Sequence, residues 1–294
     1  MNILLLGKGG QVGWELQRSL APLGRILAHD SDTADFASPE QVTNLVAQLR
    51  PDIIVNAAAH TAVDKAETET DLARAINATT PGAIAAEAAR LGALLVHYST
   101  DYVFDGSGHA PREESAATAP LSVYGRTKLE GEQLIQASGC AHLILRTSWV
   151  YATRGGNFAK TMLRLAGERD MLQVIDDQVG APTSAELLAD VTAHAIRATH
   201  ADPSLSGLYH LVAGGETTWF DYARHVIEWA RAQGHAVKVA PQAIRPIATA
   251  DYPTPAQRPL NSRLDTTKLR QAFGLSLPDW RPGVERMLAE YLGT

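Results

Sequence analysis

Through the first half of the chain, short unbroken apolar runs alternate with longer stretches in which apolar residues recur every three or four positions. Ile3 to Leu6, Ile26 to Ala28, Ile53 to Val55, Leu94 to His97 and Leu143 to Leu145 are short and continuous rather than alternating, the pattern of strands buried on both faces. Between them, Gln11 to Leu23, Pro39 to Leu49, Leu72 to Leu91 with a break near Pro81, and Tyr124 to Ala137 read as helices. Ser38-Pro39-Glu40 is a helix start, a capping hydroxyl followed by proline at the first helical position. Repeated strand–helix alternation predicts an α/β fold, a doubly wound parallel sheet with its ligand at the carboxyl ends of the strands.

After about residue 150 the rhythm changes. Asn157 to Gly167, Ala185 to Thr199 and Trp219 to Gln233 look helical, with short strands near Leu172 to Ile175 and Leu208 to Val212. Arg245 to Arg263 holds Pro246, Pro253, Pro255 and Pro259 and reads as a long loop. A last helix is expected from about Pro282 to Leu292. The expected organisation is a dinucleotide-binding domain over 1–150, with a later return of the chain within 176–206, and a smaller α/β substrate-binding domain over 151–294.

Composition narrows the function. One cysteine, Cys140, excludes a disulfide scaffold, and ten histidines without His-x-x-x-His spacing give no zinc motif. A net charge of -6 without a Lys/Arg run argues against nucleic acid as a partner. No apolar run approaches the ~18 residues of a membrane span, and no basic leader precedes an apolar stretch, so a cytoplasmic, membrane-free protein is expected.

Gly7-Lys8-Gly9-Gly10-Gln11-Val12-Gly13 lies directly between the first strand and the first helix. Glycines at 7, 10 and 13 allow a tight turn, close approach to a pyrophosphate and close helix packing, which makes the fold Rossmann-like. Asp30, after the second strand, can accept hydrogen bonds from an adenosine ribose, and Asp35-Phe36 can line an adenine site. The small side chains of Asn56-Ala57-Ala58-Ala59-His60 let a dinucleotide lie against the backbone; His60 itself reads equally as a hydrogen-bonded loop histidine. In Tyr124-Gly125-Arg126-Thr127-Lys128 the tyrosine and lysine share a helix face, so the ammonium is expected to lower the phenol toward working pH. Ser99-Thr100-Asp101 follows the fourth strand, and Thr100 can hydrogen-bond a substrate oxygen that Tyr124 also touches. Together they suit carbonyl reduction.

These features resemble the extended short-chain dehydrogenase/reductases. Longer stretches, Asn56 to Glu67, Ser99 to Gly106, Arg146 to Tyr151, Asp177 to Thr183 and Arg258 to Asp265, resemble the dTDP-4-dehydrorhamnose reductase branch of that family. The turn departs from it at Gly9, where relatives often carry threonine. The resemblance implies NADH- or NADPH-dependent reduction of the C4 ketone of a dTDP-sugar, dTDP-4-dehydro-L-rhamnose, the last step toward dTDP-L-rhamnose for rhamnose-containing polysaccharides such as O-antigen. It implies Tyr124 as general acid, with Lys128 and Thr100 beside it, and cofactor contacts from Gly7, Gly10, Gln11, Val12, Gly13, Asp30, Asp35, Phe36, Ala59, His60, Thr61, Tyr98, Tyr124 and Lys128. Substrate contacts would come from Thr100, Asp101, Trp149 and Arg258, with Arg263 a second candidate for the diphosphate. Trp149 also reads as a core aromatic, and the two arginines as solvated loop residues. Some relatives form homodimers bridged by magnesium through glutamates, which here would be Glu15, Glu186 and Glu290; a solvated helix face explains these equally. An epimerase or dehydratase on the same scaffold, or a non-catalytic regulatory subunit, would share the cofactor motifs. Asp101 is followed by Tyr102, not by the acidic partner that elimination chemistry uses.

Overall fold

The computed structural model describes residues 1–293. Six strands form one parallel sheet: β1 (Asn2–Leu6), β2 (Arg25–His29), β3 (Ile53–Asn56), β4 (Leu94–Thr100), β5 (His142–Thr147) and β6 (Gly207–His210), in the order β6-β5-β4-β3-β1-β2. Their continuous apolar character has a direct cause. Ile3 and Leu5 meet one helical layer, with Leu16 and Leu20 of α1 (Gln11–Leu20), while Leu4 and Leu6 meet the other. That second layer comes from α2 (Pro39–Leu49), α3 (Thr80–Leu91) and α4 (Val123–Ala137), through Val42, Val46, Ile84, Ala88 and Ile135. The strand order reverses between β1 and β3, which places a crevice at the carboxyl edge above them.

Most helix boundaries move by one or two residues from the sequence pattern, and two regions differ in kind. The break expected near Pro81 is a wide π-turn over Ala75–Thr79, ahead of the proline. Pro81 has no N–H to donate back along the helix, and the widened turn swings Asn77 inward. The proline-rich stretch is not all loop: Ile244–Ile247 pairs in parallel with Leu172–Ile175. A two-stranded sheet consists only of edges, so Pro246 can leave its missing N–H on the open side.

The remaining chain forms a second lobe around α5 (Phe158–Glu168), α7 (Trp219–Ala232) and α8 (Trp280–Leu292), packed through Tyr222, Val226, Trp280 and Val284. From this lobe the chain comes back to the large sheet over Ala185–His210. Helix α6 (Ala185–Ala201) covers β1 and β5 beside α1, and β6 adds to the edge next to β5. No helix among the described residues is long and apolar enough to cross a membrane.

Candidate active site

The glycine turn joins β1 to α1 and is held against β2, where the His29 carbonyl accepts the N–H groups of Gly7 and Lys8. Gly7 has φ +85°, and a Cβ there would lie 2.7 Å from Ala58 N. At Gly13 a Cβ would come within 2.0 Å of Gly7 O, so this glycine lets α1 press on the turn. Gly10 is different: a side chain there would make only ordinary contact with the protein. Its bareness keeps the N-terminus of α1 open to an anion. Around Gly9, where relatives often carry threonine, there is open space.

The three side chains expected to take part in reduction, Tyr124, Lys128 and Thr100, are brought together by α4 and β4. Ser122 caps α4 by accepting the Gly125 N–H, and Glu67 accepts the Val123 N–H, fixing the first turn that carries Tyr124. Gly125 decides how close that turn comes: its missing Cβ would sit 2.2 Å from Tyr102 O. Tyr124 thereby stands close enough for Thr100 to act on its phenol, and its ring meets Tyr102 edge to face at 5.4 Å. Thr100 Oγ1 donates to Asp101 Oδ1 at 3.1 Å, while Asp101 Oδ2 is buried without a partner.

The expected effect of Lys128 on Tyr124 is not what this geometry gives. Burial pushes the Tyr124 phenol up to about 12, with the Thr100 hydrogen bond acting against it. The Lys128 ammonium end turns to β4, 2.6 Å from Tyr98 O and 3.1 Å from His97 Nε2. Shared helical phase placed both side chains on the sheet-facing side but did not pair them. Burial brings Lys128 down to about 8, with the Glu132 charge opposing.

Beyond the end of β5 stands an aromatic wall. Trp149 follows β5 with φ +50°, a conformation that side chains rarely adopt outside constrained sites, and its indole stacks on Trp219 at 3.6 Å. Gly180 makes the space, since a Cβ there would lie 2.9 Å from the Trp149 ring. Gln178 Oε1 accepts the Trp219 indole N–H. A cleft of about 660 Å³ continues from Tyr102, Gln178 and Trp219 to Phe158, Met162, Tyr252 and Arg258. Trp219 and Gln178 lie outside the expected site set; nothing in the spacing of Trp219, at the start of a helix, distinguishes it from a core aromatic.

A family model described as the RmlD substrate binding domain matches residues 1–292. Over 298 aligned residues, 100% of this chain and 99% of each relative, the sequence is 60% identical to the dTDP-4-dehydrorhamnose reductases of Shigella flexneri and of Escherichia coli K12. The chain belongs to the dTDP-4-dehydrorhamnose reductase family. A crystal structure of the Bacillus anthracis reductase in complex with NADP, 36% identical, superposes with a TM-score of 0.89 and covers 98% of this chain and 99% of that one.

The stretches that carried the family resemblance prove to touch one another. Asp64 holds the Arg258 guanidinium through two hydrogen bonds, at 3.1 and 2.7 Å, and Gly106 O accepts the Asn261 N–H. Arg258 therefore lines the cleft with its charge already paired to a carboxylate. Arg263 does not join it: it pairs with Glu216 in a separate recess that includes Ser262 and Asp265. Arg154, absent from the expected set, reaches from the second lobe to the glycine turn, donating to Gly9 O at 3.3 Å and stacking on Trp14.

Other family positions fall as follows. Asp30 stands 3.5 Å from Lys8 across the glycine turn. Asp35 caps its own loop at the Ala37 N–H, and the Phe36 side chain packs in the core, with only its carbonyl tied to Thr80. Ala59 and Thr61 lie in the open segment after β3. His60 is a hydrogen-bonded loop histidine: Asn77 Oδ1 accepts its N–H, and its Nε2 lies 3.0 Å from Glu69. The Tyr98 hydroxyl is engaged by Thr192 at 2.6 Å, which leaves its backbone as the part facing Lys128. Glu15, Glu186 and Glu290 lie within electrostatic reach of one another, the Glu186 and Glu290 carboxylates adding to the burial that raises Glu15, but they do not close into a metal site within this single chain. Glu15 pairs with Arg18 and Glu186 with Arg286, and no group of three potential ligands stands together among the described residues.

Asp101 gives a test of how the family site trades stability for function. Burial pushes its carboxyl from an ordinary 3.8 up to about 6, against the lowering effect of Ser262 and Thr100. As pH rises between those values the unfolded chain loses a proton that the folded chain retains, so stability falls through this window and is level above it. Asp101→Asn is expected to stabilise the protein by on the order of 2 kcal/mol at pH 7 and by little near pH 4, while lowering turnover. Urea unfolding of both proteins at the two pH values checks it; equal midpoints at pH 7 would refute the cost assigned to this carboxylate.

Proposed function

We propose that this chain reduces the C4 ketone of dTDP-4-dehydro-L-rhamnose to give dTDP-L-rhamnose, with NADPH or NADH as donor. The observation that carries the reading is the placing of Tyr124 from α4 beside Thr100 at the carboxyl end of β4, next to Tyr102, which lines the cleft. The nicotinamide, when bound, supplies the hydride. Gly7, Gly10 and Gly13 would hold its pyrophosphate at the N-terminus of α1, and Lys128 its ribose. Tyr124 Oη gives its proton to the oxygen that becomes the C4 hydroxyl, and the high proton affinity of this phenol keeps it protonated until that moment. Thr100 orients the same oxygen, and Asp101 Oδ2 is free to accept a sugar hydroxyl. Trp149 and Trp219 give the deoxyhexose an apolar face and exclude water. Mixing protein, NADPH and the keto sugar and following absorbance of the reduced cofactor tests the reading; absence of substrate-dependent oxidation overturns it.

Cofactor choice rests on the Lys8–Asp30 pair. Asp30 alone would repel a 2'-phosphate; Lys8, 3.5 Å away, offsets that charge, so both cofactors are accepted. Lys8→Ala is expected to lower kcat/KM for NADPH roughly three- to tenfold, about 1 kcal/mol for so exposed a pair, with little change for NADH. Parallel steady-state measurements with the two cofactors check the ratio; equal losses for both would remove Lys8 from selectivity.

A further inference from the structure

Behind Lys128, on the side away from Tyr124, lies a buried chain of side chains that the reduction itself does not use. His97 is in the middle of β4, fully buried, and each ring nitrogen has its own partner: Asn56 Nδ2 is 3.0 Å from Nδ1, and Lys128 Nζ is 3.1 Å from Nε2. The protonation pattern is set from the far end. Asn56 Oδ1 accepts the Ala58 backbone N–H at 3.0 Å, and that N–H can only donate. The amide nitrogen of Asn56 therefore faces His97 and donates to Nδ1. Burial keeps the ring neutral, with the Lys128 charge acting in the same direction. A neutral ring whose Nδ1 accepts carries its hydrogen on Nε2. That Nε2–H points at Lys128, and an ammonium has no lone pair to receive it, whereas a free amine does. The Tyr98 carbonyl accepts from either form.

We propose that Asn56 and His97 are positioning residues for Lys128, a tautomer lock whose Nε2–H favours the free amine and so keeps both charge states of the lysine accessible during turnover. The opposite arrangement has a defined cost. For Nε2 to accept from an ammonium, the ring hydrogen must move to Nδ1 and the Asn56 amide must turn over, setting its NH2 against the Ala58 N–H. The other groups around Lys128 act on this balance. Tyr124 precedes it by one turn of α4 and Glu132 follows by one turn; Glu132 favours the charge but is itself paired to Arg146 of β5. In the reductase reading, on which the catalytic consequence rests, Tyr124 is left as phenolate. Because Lys128 Nζ is turned to β4, recharging goes through an intervening water, which gives a proton to Oη and takes one from Nζ; the amine left behind is the form His97 holds until solvent returns a proton.

The full-length protein labelled with ¹⁵N-histidine reports the tautomer, and ¹³Cε-lysine reports the titration of Lys128. The wild type is expected to show His97 with hydrogen on Nε2. In Asn56→Asp one carboxylate oxygen keeps the Ala58 N–H and the other accepts from Nδ1–H, so the ring inverts and Nε2 accepts from the ammonium. The Lys128 titration is then expected to rise by about one unit or more, with the alkaline limb of kcat/KM moving up alongside. His97→Leu, which removes the donor to the free amine without adding a carboxylate, is expected to shift the titration upward as well, by less. An Nδ1–H tautomer in the wild type, or an unmoved lysine titration in both variants, overturns the lock. Failure of the wild type to reduce the keto sugar removes the reductase reading, while the two spectra still decide the lock.

Discussion

Tyr124→Phe is expected to lower kcat roughly a hundred- to ten-thousand-fold while KM and unfolding midpoint stay close to wild type. The substitution deletes one oxygen. The ring keeps its edge-to-face contact with Tyr102 and its seat over Gly125, so the helix that carries it has no reason to move. What disappears is the proton that must reach the C4 oxygen as hydride arrives. Because burial holds the phenol at about 12, Tyr124 stays protonated throughout the range in which the enzyme is assayed, and its own ionisation cannot produce a limb near neutrality. An alkaline limb is expected instead from Lys128, brought down to about 8 by burial. Steady-state kinetics of the variant across pH separates these assignments: a variant with wild-type kcat would remove Tyr124 from the acid role. A surviving slow rate whose alkaline limb has not moved would place that limb on a group other than Tyr124.

The sequence made the scaffold legible because the parallel strands are buried on both faces and so are continuously apolar, a signal that survives without tertiary information. Ile3 to Leu6 is the clearest case. The same reasoning fails where a residue's meaning depends on what lies across from it. Ile244–Ile247 reads as loop because Pro246 breaks the pattern, yet an edge pairing needs no N–H from it. The four-residue spacing of Tyr124 and Lys128 places them on one helix face but says nothing of the Tyr98 carbonyl and His97 that take the lysine end. Gly125, Gly131 and Gly180 look like incidental glycines in sequence. In the fold each removes a Cβ that would collide: with Tyr102 O, with Asn77 O, and with the Trp149 ring. Several residues named from the family motifs stand at the carboxyl ends of the strands, such as Gly7, Thr100 and Trp149, whereas Arg263 faces a separate recess and the Phe36 side chain packs in the core, since a motif match transfers identity and not orientation.

Breaking the Arg146–Glu132 pair by Arg146→Met is expected to destabilise the protein by about 3–5 kcal/mol. Arg146 projects from β5 and Glu132 from α4, and both are almost fully buried, joined by hydrogen bonds of 2.9 and 2.6 Å. Removing the arginine leaves a carboxylate in the interior without its counter-charge, while Phe104 loses the guanidinium that lies over its ring. The double variant Arg146→Met, Glu132→Leu is expected to recover most of the loss, because neither buried charge remains; urea unfolding of wild type, both single variants and the double variant measures the coupling directly. The pair also bears on chemistry. Glu132 favours the charged form of Lys128, so the double variant should refold to near wild-type stability yet show an alkaline limb at lower pH. Stability and pH profile would then separate, and that separation identifies what the buried pair contributes: apolar side chains of similar volume can replace its part in packing, but not the negative charge that supports the lysine one turn away.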